Sequence, residues 1–394
     1  MKKIGIVSCY FKHNYGSMLQ SYATQKVLDN LGYENETINI DGFNHEISKA
    51  KKKYFIKAAF TSNILSSKIG MVKNVVLKKN PFSEYAENAK IRDNKFNSFQ
   101  KSMYKLSEKY ESKDALGLEC QTKYGAIIVG SDQLWLPANI AGDYYTLNFV
   151  PESVNTISYS TSFGQSQLPD NITEKAETFL KKIRYIGVRE EAGKKLIKKI
   201  CGREVQVVCD PTLLLNADEW MKIQPEEPII KQKYILCYFL GKNEKHRKFA
   251  SRLKSLTNTK IVALNHLDEY IKSDDSYADE TPYDIGPSEF LNLIRNATYI
   301  CSDSYHCAIF SMIFKNEFFS FKRYSDKCKQ STNSRLETLL NSVGIFDRLL
   351  SGDENVEECI HDKINYDEVQ SSIDAIKNKS LVFLTNALED KKVK

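Results

Sequence analysis

The sequence lacks the patterns that mark disulfide-stabilised and metal-binding proteins. Its 394 residues include nine cysteines and six histidines, but no two cysteines form a C-x-x-C pair and the histidines are scattered. Regular cysteine spacing with histidines nearby would indicate a disulfide framework or a zinc site, so we expect neither and assign no metal. Several cysteines stand in apolar, strand-like runs, which indicates reduced, buried thiols of a cytosolic protein.

Signals for secretion, membrane spanning and common cofactors are missing as well. Lys2 and Lys3 lead directly into a strand-like run instead of a signal peptide, and no apolar run approaches the ~20 residues of a membrane-spanning helix. The loop at residues 10–16 contains neither a G-x-G-x-x-G pattern nor a P-loop, which argues against binding of a dinucleotide or ATP there. We therefore expect a cytoplasmic protein with no cofactor.

Positive charge is concentrated in one segment. The formal net charge is +6, and residues 46–80 contain nine lysines, with Glu46 as the only acidic residue. A solvated basic surface is the simplest interpretation of such a run. Because apolar side chains are interleaved, the alternative is peripheral contact with anionic lipids at the inner face of the membrane, or with a pyrophosphate-linked acceptor, through Lys51, Lys52 and Lys53. No nucleic-acid-binding motif accompanies the charge, so we expect no nucleic-acid partner.

The length and the order of apolar runs predict two domains. A chain of 394 residues exceeds the usual size of one hydrophobic core. Strand-like and helical patterns alternate through both halves, which predicts parallel sheets. We therefore predict an α/β fold of two facing Rossmann-like domains, at residues 1–220 and 221–394. A basic helical insertion is expected at about residues 45–110, and a last helix at about residues 371–388 is a candidate to cross back to the first domain.

Two predicted strands of the first half end directly on a charged side chain. Asp132 follows the apolar run of residues 124–130, and Arg189 follows the short run of residues 185–188. Ligands of open α/β sheets gather at the carboxyl ends of the strands, so both side chains are candidates for a binding site. The alternatives are an Asx-turn or helix cap for Asp132, and a surface ion pair with a neighbouring glutamate for Arg189.

The stretch of residues 299–323 organises the second half. Its apolar start predicts a buried strand, and residues 307–314 predict a buried helix with Ser304 as its N-cap. Backbone N–H groups at such a helix start form an anion site, and Arg323, at the end of a following strand, adds positive charge if the unit is βαβ. His306 lies in the first turn, where a histidine held by a neighbour is the alternative to a catalytic one.

Five short blocks in fixed order carry the strongest signal. The blocks are N-Y-G-S-M-L-Q-S-Y-A at 14–23, G-S-D-Q-L-W at 130–135, I-S-Y-S-T-S-F-G at 157–164, V-R-E-E at 188–191 with D-P-T-L-L at 210–214, and S-Y-H-C at 304–307. In this order they resemble the polysaccharide pyruvyl transferase family, and they cover most of residues 4–345 outside the insertion. Where that family usually has glycine after the histidine, this chain has Cys307, whose side chain is expected to crowd the turn.

The resemblance implies a fold and a reaction. The fold would be two facing Rossmann-like domains of the kind found in GT-B glycosyltransferases. The reaction would move a pyruvyl group from phosphoenolpyruvate onto two hydroxyls of a sugar in a surface polysaccharide or its precursor, free or lipid-linked. A cyclic ketal would form and phosphate would be released.

Roles for individual residues follow from this chemistry. His306 is the candidate proton donor to the enol carbon, because an imidazole can supply a proton near neutral pH, and Asp132 is the candidate base for the sugar hydroxyl. The donor carries a carboxylate and a phosphate, which need cationic and N–H groups. The donor-binding candidates are Arg189, Ser304, Arg323 and Arg335. The acceptor-binding candidates are Asn14, Gly16 and Gln133, although Gly16 is equally suited to seating its helix or admitting the other domain.

Two other functions remain open from the sequence. A GT-B glycosyltransferase that uses a nucleotide sugar would share the predicted architecture. A catalytically silent scaffold of envelope-polysaccharide assembly is the alternative outside enzymes, and Cys307 is the feature that favours it.

Overall fold

The computed structural model describes residues 2–61, 84–265, 271–274, 276–325, 328 and 331–391. The central part of the basic insertion, with four of its lysines, lies outside the described residues. Six of the nine cysteines are buried, namely Cys9, Cys120, Cys209, Cys237, Cys301 and Cys307.

The first half of the chain builds a seven-stranded parallel sheet. Its strands are β1 Lys3–Val7, β2 Asn35–Asn39, β3 Leu106–Lys109, β4 Tyr124–Val129, β5 Asn155–Thr161, β6 Tyr185–Val188 and β7 Gln206–Val207. The spatial order is β3-β2-β1-β4-β5-β6-β7, and every neighbouring pair is parallel. This order, which reverses between β1 and β4, is that of a Rossmann-like domain.

The second half builds a separate five-stranded parallel sheet. Its strands are β8 Tyr234–Tyr238, β9 Lys260–Ala263, β10 Tyr299–Ser302, β11 Glu317–Phe321 and β12 Leu349–Leu350. The order β12-β11-β10-β8-β9 is again doubly wound, with its reversal between β8 and β10. Strands β8 and β10 are almost fully buried, as expected where helices cover both faces of a parallel sheet.

Helices connect the strands and cover the sheets. In chain order they are α1 Tyr15–Asn30, α2 Asn44–Thr61, α3 Glu84–Met103, α4 Lys113–Lys123, α5 Pro137–Gly142, α6 Asp170–Lys182, α7 Glu191–Cys201, α8 Pro211–Leu214, α9 Ala217–Met221, α10 Glu244–Thr257, α11 Pro287–Asn296, α12 Tyr305–Ile313, α13 Ser334–Ser342, α14 Val356–His361 and α15 Tyr366–Leu388. The strand predicted at residues 185–188 is confirmed to the residue as β6.

The segment predicted as an insertion contributes one strand to the first sheet. Strand β3 pairs with β2 at the sheet edge, so part of residues 45–110 belongs to the Rossmann pattern. Its sequence, L-S-E-K, has one apolar residue and two charged ones. An edge strand exposes much of its surface, and it therefore lacks the apolar run by which buried strands are recognised.

The C-terminal helix α15 packs on the first sheet. Its Ser380 hydroxyl accepts a hydrogen bond from the backbone N–H of Cys209 at 2.9 Å, and Nδ2 of Asn155 donates to the carbonyl of Ala387 at 2.7 Å. The ring of Phe383 lies where a side chain on Gly187 would sit. The helix starts at Tyr366, earlier than the sequence pattern indicated.

Candidate active site

The candidate site lies where the carboxyl ends of the two sheets face each other. From the first domain come the residues after β4, β6 and β7, and from the second comes the start of α12 after β10. Contacts between these segments join positions far apart in the sequence, because each chain half supplies one wall of the cleft.

His306 reaches across the cleft from the first turn of α12. The N-cap of this helix is Ser304, whose hydroxyl accepts from the N–H of Cys307 at 3.5 Å, as predicted. The imidazole is 6% exposed and lies directly against α1 of the first domain. A Cβ on Gly16 would come within 2.0 Å of Nδ1 of His306, a separation that real atoms do not tolerate. Gly16 therefore admits the other domain; binding of the acceptor by this residue remains a prediction.

Asp210, which the sequence placed in a block without assigning it to the site, faces the histidine. Its Oδ2 lies 3.4 Å from Nε2 of His306 and accepts from the Ser131 hydroxyl at 2.7 Å. Its Oδ1 is held by the backbone N–H and the hydroxyl of Thr212. Burial alone would raise the pKa of Asp210, but Arg189 and His306 outweigh it and hold that pKa far below its usual range. The group is therefore an ionised, rigidly held carboxylate.

Arg189 is buried, with no side-chain exposure, and pairs with Asp210. Its Nη2 lies 2.7 Å from Oδ2 of Asp210 and also donates to Ser131. Burial would lower the pKa of Arg189, but Asp210 reverses this and the pKa is raised. Within the described part of the chain, Nε and Nη1 have no hydrogen-bond partner. The guanidinium also lies 4.7 Å from the centre of the Tyr305 ring. Because the side chain is buried and paired with Asp210, the surface ion pair with a neighbouring glutamate is not formed.

Arg335, in the first turn of α13, enters the same space. Its guanidinium lies 5.7 Å from the centre of the Tyr305 ring. The side-chain amide of Gln133 is oriented so that its oxygen and its nitrogen both have suitable hydrogen-bond partners. Nη1 and Nε of Arg335 then donate to the Gln133 oxygen at 3.0 and 3.2 Å. Burial, with the positive charges of Arg189 and Arg323, lowers the pKa of Arg335 to about 10. Such crowding of buried cations favours an anionic ligand.

Arg323 stands beside the helix start, as the predicted βαβ unit requires. Its Nη2 donates to the backbone carbonyl of Asp303 at 2.9 Å and lies 3.4 Å from Oδ1 of that residue. Asp303 also accepts from the N–H groups of Leu240 and Gly241, each at 2.7 Å, and so joins the ends of β8 and β10. The buried Nε of Arg323 has no partner among the described residues.

Asp132 forms the opposite wall. It has a positive φ of 87°, unusual for a residue with a side chain, and its backbone bridges to Thr161. Its Oδ2 accepts from the Ser17 hydroxyl at 2.5 Å, and its Oδ1 accepts from the N–H of Gln133 at 2.8 Å. Burial favours protonation, but Arg189, Lys12 and His306 outweigh it and hold the pKa of Asp132 far below its usual range.

Glu190 is a second carboxyl that the sequence did not assign to the site. It is 1% exposed, and one oxygen accepts from the Ser162 hydroxyl at 3.0 Å while Oε2 has no partner among the described residues. Burial raises the pKa of Glu190, against the pull of Arg189 and Arg335. Glu190 lies within the V-R-E-E block and Asp210 within the D-P-T-L-L block. Their position in these blocks was the sequence signal that could have identified them as site residues.

Two candidate residues have structural roles that the sequence left undecided. Asn14 caps α1, since its side-chain oxygen accepts from the N–H of Ser17 at 3.1 Å. Cys307 is fully buried in the core, where burial raises the pKa of its thiol to about 12. The thiol lies beside Ser302, and crowding of the turn by Cys307 stays a prediction.

The three insertion lysines do not share one surface. Lys51 is half-buried, with its ammonium 5.7 Å from the centre of the Tyr145 ring, and burial lowers its pKa. Lys52 and Lys53 are exposed. In the ranges that the structure describes, no helix is long and apolar enough to cross a membrane, and no group of acidic, histidine and cysteine side chains is arranged to hold a metal ion. Peripheral membrane contact remains a prediction.

Two parallel sheets with facing carboxyl ends and a charged cleft define a two-domain, GT-B-like α/β protein. The fold is similar to that of UDP-N-acetylglucosamine 2-epimerase from Rickettsia bellii, with 10% identity, coverage of 99% of this chain and 97% of that chain, and a TM-score of 0.52. The enzyme of the same name from Neisseria meningitidis, bound to UDP-GlcNAc, shows 11% identity, coverage of 97% and 100%, and a TM-score of 0.46. At this identity the Rickettsia likeness concerns the fold alone, and it confirms two Rossmann-like domains.

The family follows from the sequence itself. The family model described as polysaccharide pyruvyl transferase matches residues 14–323, so the chain belongs to this family. No curated protein matches the chain. The match includes all five blocks and the residues that meet in the cleft, except Arg335, which lies beyond it.

Proposed function

We propose that this protein transfers the pyruvyl group of phosphoenolpyruvate to two hydroxyls of a saccharide. The products are a cyclic ketal and inorganic phosphate. Family membership supports a polysaccharide-modifying transferase, and the choice of donor rests on the charges in the cleft. The observation that carries it is the convergence of buried Arg189 and Arg335 on the Tyr305 ring, beside His306.

The arginines suit a small donor with two anionic groups. Among the described residues, Nε and Nη1 of Arg189 have no partner while its Nη2 is fixed by Asp210, so an anion can bind without breaking that pair. Arg335 offers a second guanidinium whose pKa is lowered by burial and by its cationic neighbours, which a bound anion would relieve. Two guanidinium groups beside one aromatic ring match a donor whose carboxylate and phosphate are attached to the same carbon.

The chemical steps can be assigned so that atoms and protons balance. His306 gives a proton to the methylene carbon of the donor, and the neighbouring carbon becomes open to attack by the first hydroxyl. Asp132 accepts that hydroxyl's proton and passes it to the departing phosphate as the carbon–oxygen bond to phosphate breaks. The second hydroxyl then closes the ketal, and its proton restores His306. Ionised Asp132 takes a proton only while the new bond forms, because its pKa is low.

Asp210 positions the histidine in this scheme. Its carboxylate is fixed by Thr212 and Arg189 and faces Nε2 of His306 at 3.4 Å. A carboxylate on one ring nitrogen orients the imidazole and selects its tautomer. Because His306 and Asp210 belong to different domains, this arrangement exists only when the cleft is closed.

The experiment is a donor-consumption assay with the purified protein. Phosphate release from phosphoenolpyruvate should depend on an added saccharide, and the product should show a ketal methyl group by NMR. Release without an acceptor, or no release with a broad panel of saccharides together with no thermal shift by phosphoenolpyruvate, would contradict the proposal. Stabilisation by UDP-sugars alone would favour the nucleotide-sugar glycosyltransferase instead.

A further inference from the structure

A second cavity adjoins the candidate site. It has a volume of about 850 Å³, within the range of small-molecule sites, and it lies between α7, α13 and α15. Helices α7 and α15 pack on the first sheet, whereas α13 belongs to the second half of the chain. The cavity therefore opens at the junction of the two domains, next to the donor-binding residue Arg189.

The cavity has a basic side and a hydroxyl-rich side. Its basic side is formed by Lys195 and Lys199, one turn apart on α7, and Lys379 on α15, all three of which are exposed. None of the three forms an ion pair with another described residue. The lining face of α13 carries Ser334, Thr338 and Asn341, which are spaced at helical intervals. Two glutamates also line the cavity, so the three lysines leave it with excess positive charge.

The inner end of the cavity reaches the candidate site. Arg189 and Tyr305 line the cavity as well as the cleft. The Arg189 side chain has no exposure, and its buried Nε and Nη1 have no partner among the described residues. The proposed function assigns these two nitrogens to the donor. A molecule in the cavity is thus brought next to the donor-binding arginine.

We infer that this cavity binds the acceptor as a phosphate-bearing saccharide. That the bound molecule is the acceptor rests on the proposed function. The binding of a phosphate-bearing saccharide in this cavity does not. The lysines bind the phosphate, and the α13 hydroxyl and amide groups bind sugar hydroxyls. The reacting hydroxyls then lie at the Arg189 end. A sugar 1-phosphate and a diphosphate-linked sugar share this chemistry.

The test compares three proteins by calorimetry. They are the wild type, the Lys195→Gln/Lys199→Gln double variant and, as the matched control, Lys198→Gln. Lys198 lies on the same helix but pairs with Glu204 at 2.5 Å. We expect inorganic pyrophosphate, a sugar 1-phosphate and a UDP-sugar to bind the wild type and the control equally, and the double variant at least tenfold more weakly. The neutral parent sugar should not distinguish the three.

The outcomes separate this inference from the proposed function. Equal binding of the phosphorylated probes to all three proteins, or no binding to the wild type, would overturn the inference. Phosphoenolpyruvate affinity should be the same in all three, because the donor residues are intact. If phosphoenolpyruvate does not bind but the probes do so in a lysine-dependent way, only the proposed donor is wrong. Tighter binding of the UDP-sugar than of the sugar 1-phosphate identifies a diphosphate link.

Discussion

At the scale of single residues, the cleft depends on contacts that leave no room for substitution. Gly16 faces His306 so closely that any side chain would displace the imidazole. The Arg189–Asp210 pair has no side-chain exposure, and loss of one partner from such a pair typically costs about 3–5 kcal/mol. Variants that test chemistry must therefore keep shape and charge as far as possible.

His306→Gln should fold normally and lose turnover by about 10²–10⁴-fold, because an amide can form a hydrogen bond but cannot deliver a proton. The measurement is kcat for phosphate release together with a thermal unfolding curve. His361→Gln, at an exposed position on α14, is the control and should retain full activity. A well-folded, fully active His306→Gln protein would remove this histidine from the mechanism.

Arg189→Lys should weaken donor binding by roughly 10–100-fold, which corresponds to about 1.4–2.8 kcal/mol. Lysine preserves a positive charge opposite Asp210 but cannot replace Nε and Nη1, the two nitrogens of the guanidinium that have no partner among the described residues. Calorimetric titration with phosphoenolpyruvate measures the change. An unchanged affinity would give Arg189 a purely structural role.

At the scale of elements, helix α10 carries a histidine that cannot easily be charged. His246 is 0% exposed, its ring is stacked on Phe321 at 4.6 Å, and Nδ1 has no partner among the described residues. Burial lowers its pKa to about 4. In the unfolded chain a histidine titrates near pH 6.5. Between these values only the unfolded chain takes up this proton, so stability falls as the pH decreases.

Stability should therefore decrease from about pH 6.5 to about pH 4, with His246 responsible for roughly 3 kcal/mol. His246→Phe should show a smaller decrease over the same interval, because the group that takes up the proton is gone. Thermal or urea unfolding of both proteins at several pH values measures the difference. His45→Gln, which changes an exposed histidine, is the control. Identical pH profiles for wild type and His246→Phe would contradict the prediction.

At the scale of the whole molecule, helix α3 of the insertion bridges the two domains. Arg92 donates to the carbonyls of Asn265 and Pro282, at 2.6 and 3.3 Å, and Lys95 pairs with Glu289 at 2.6 Å. Beneath it, Tyr15 of α1 stacks on a phenylalanine of α11 at 4.4 Å. These contacts hold closed the cleft in which His306 meets Asp210.

Arg92→Met should loosen this closure while it retains the length of the side chain. Two hydrogen bonds from a charged group are lost, so the closed state should be weakened by about 1.5–3 kcal/mol. We expect a larger radius of gyration by small-angle scattering and donor affinity lowered by about tenfold or more. Lys101→Met, on the same helix but exposed, should change neither quantity. A variant as compact and as tightly binding as the wild type would show that α3 does not govern closure.

Local sequence patterns were enough to predict part of this structure. Alternating apolar runs predicted two parallel sheets, Ser304 predicted the start of α12, and charged residues after strands predicted Asp132, Arg189 and His306 as neighbours of one cleft. These follow because strand burial, helix capping and the position of strand ends are properties of a few adjacent residues.

Features that depend on the approach of distant segments could be seen only in the folded protein. Three features of the site depend on packing between different elements. They are the contact of His306 with Asp210, the fit of the imidazole against Gly16 and the burial of the Cys307 thiol. Strand β3 was missed because an edge strand needs no apolar run, and the cavity beside Arg189 exists only between three helices from both halves of the chain. Distances between such segments are set by packing across the whole molecule, and no local pattern records them.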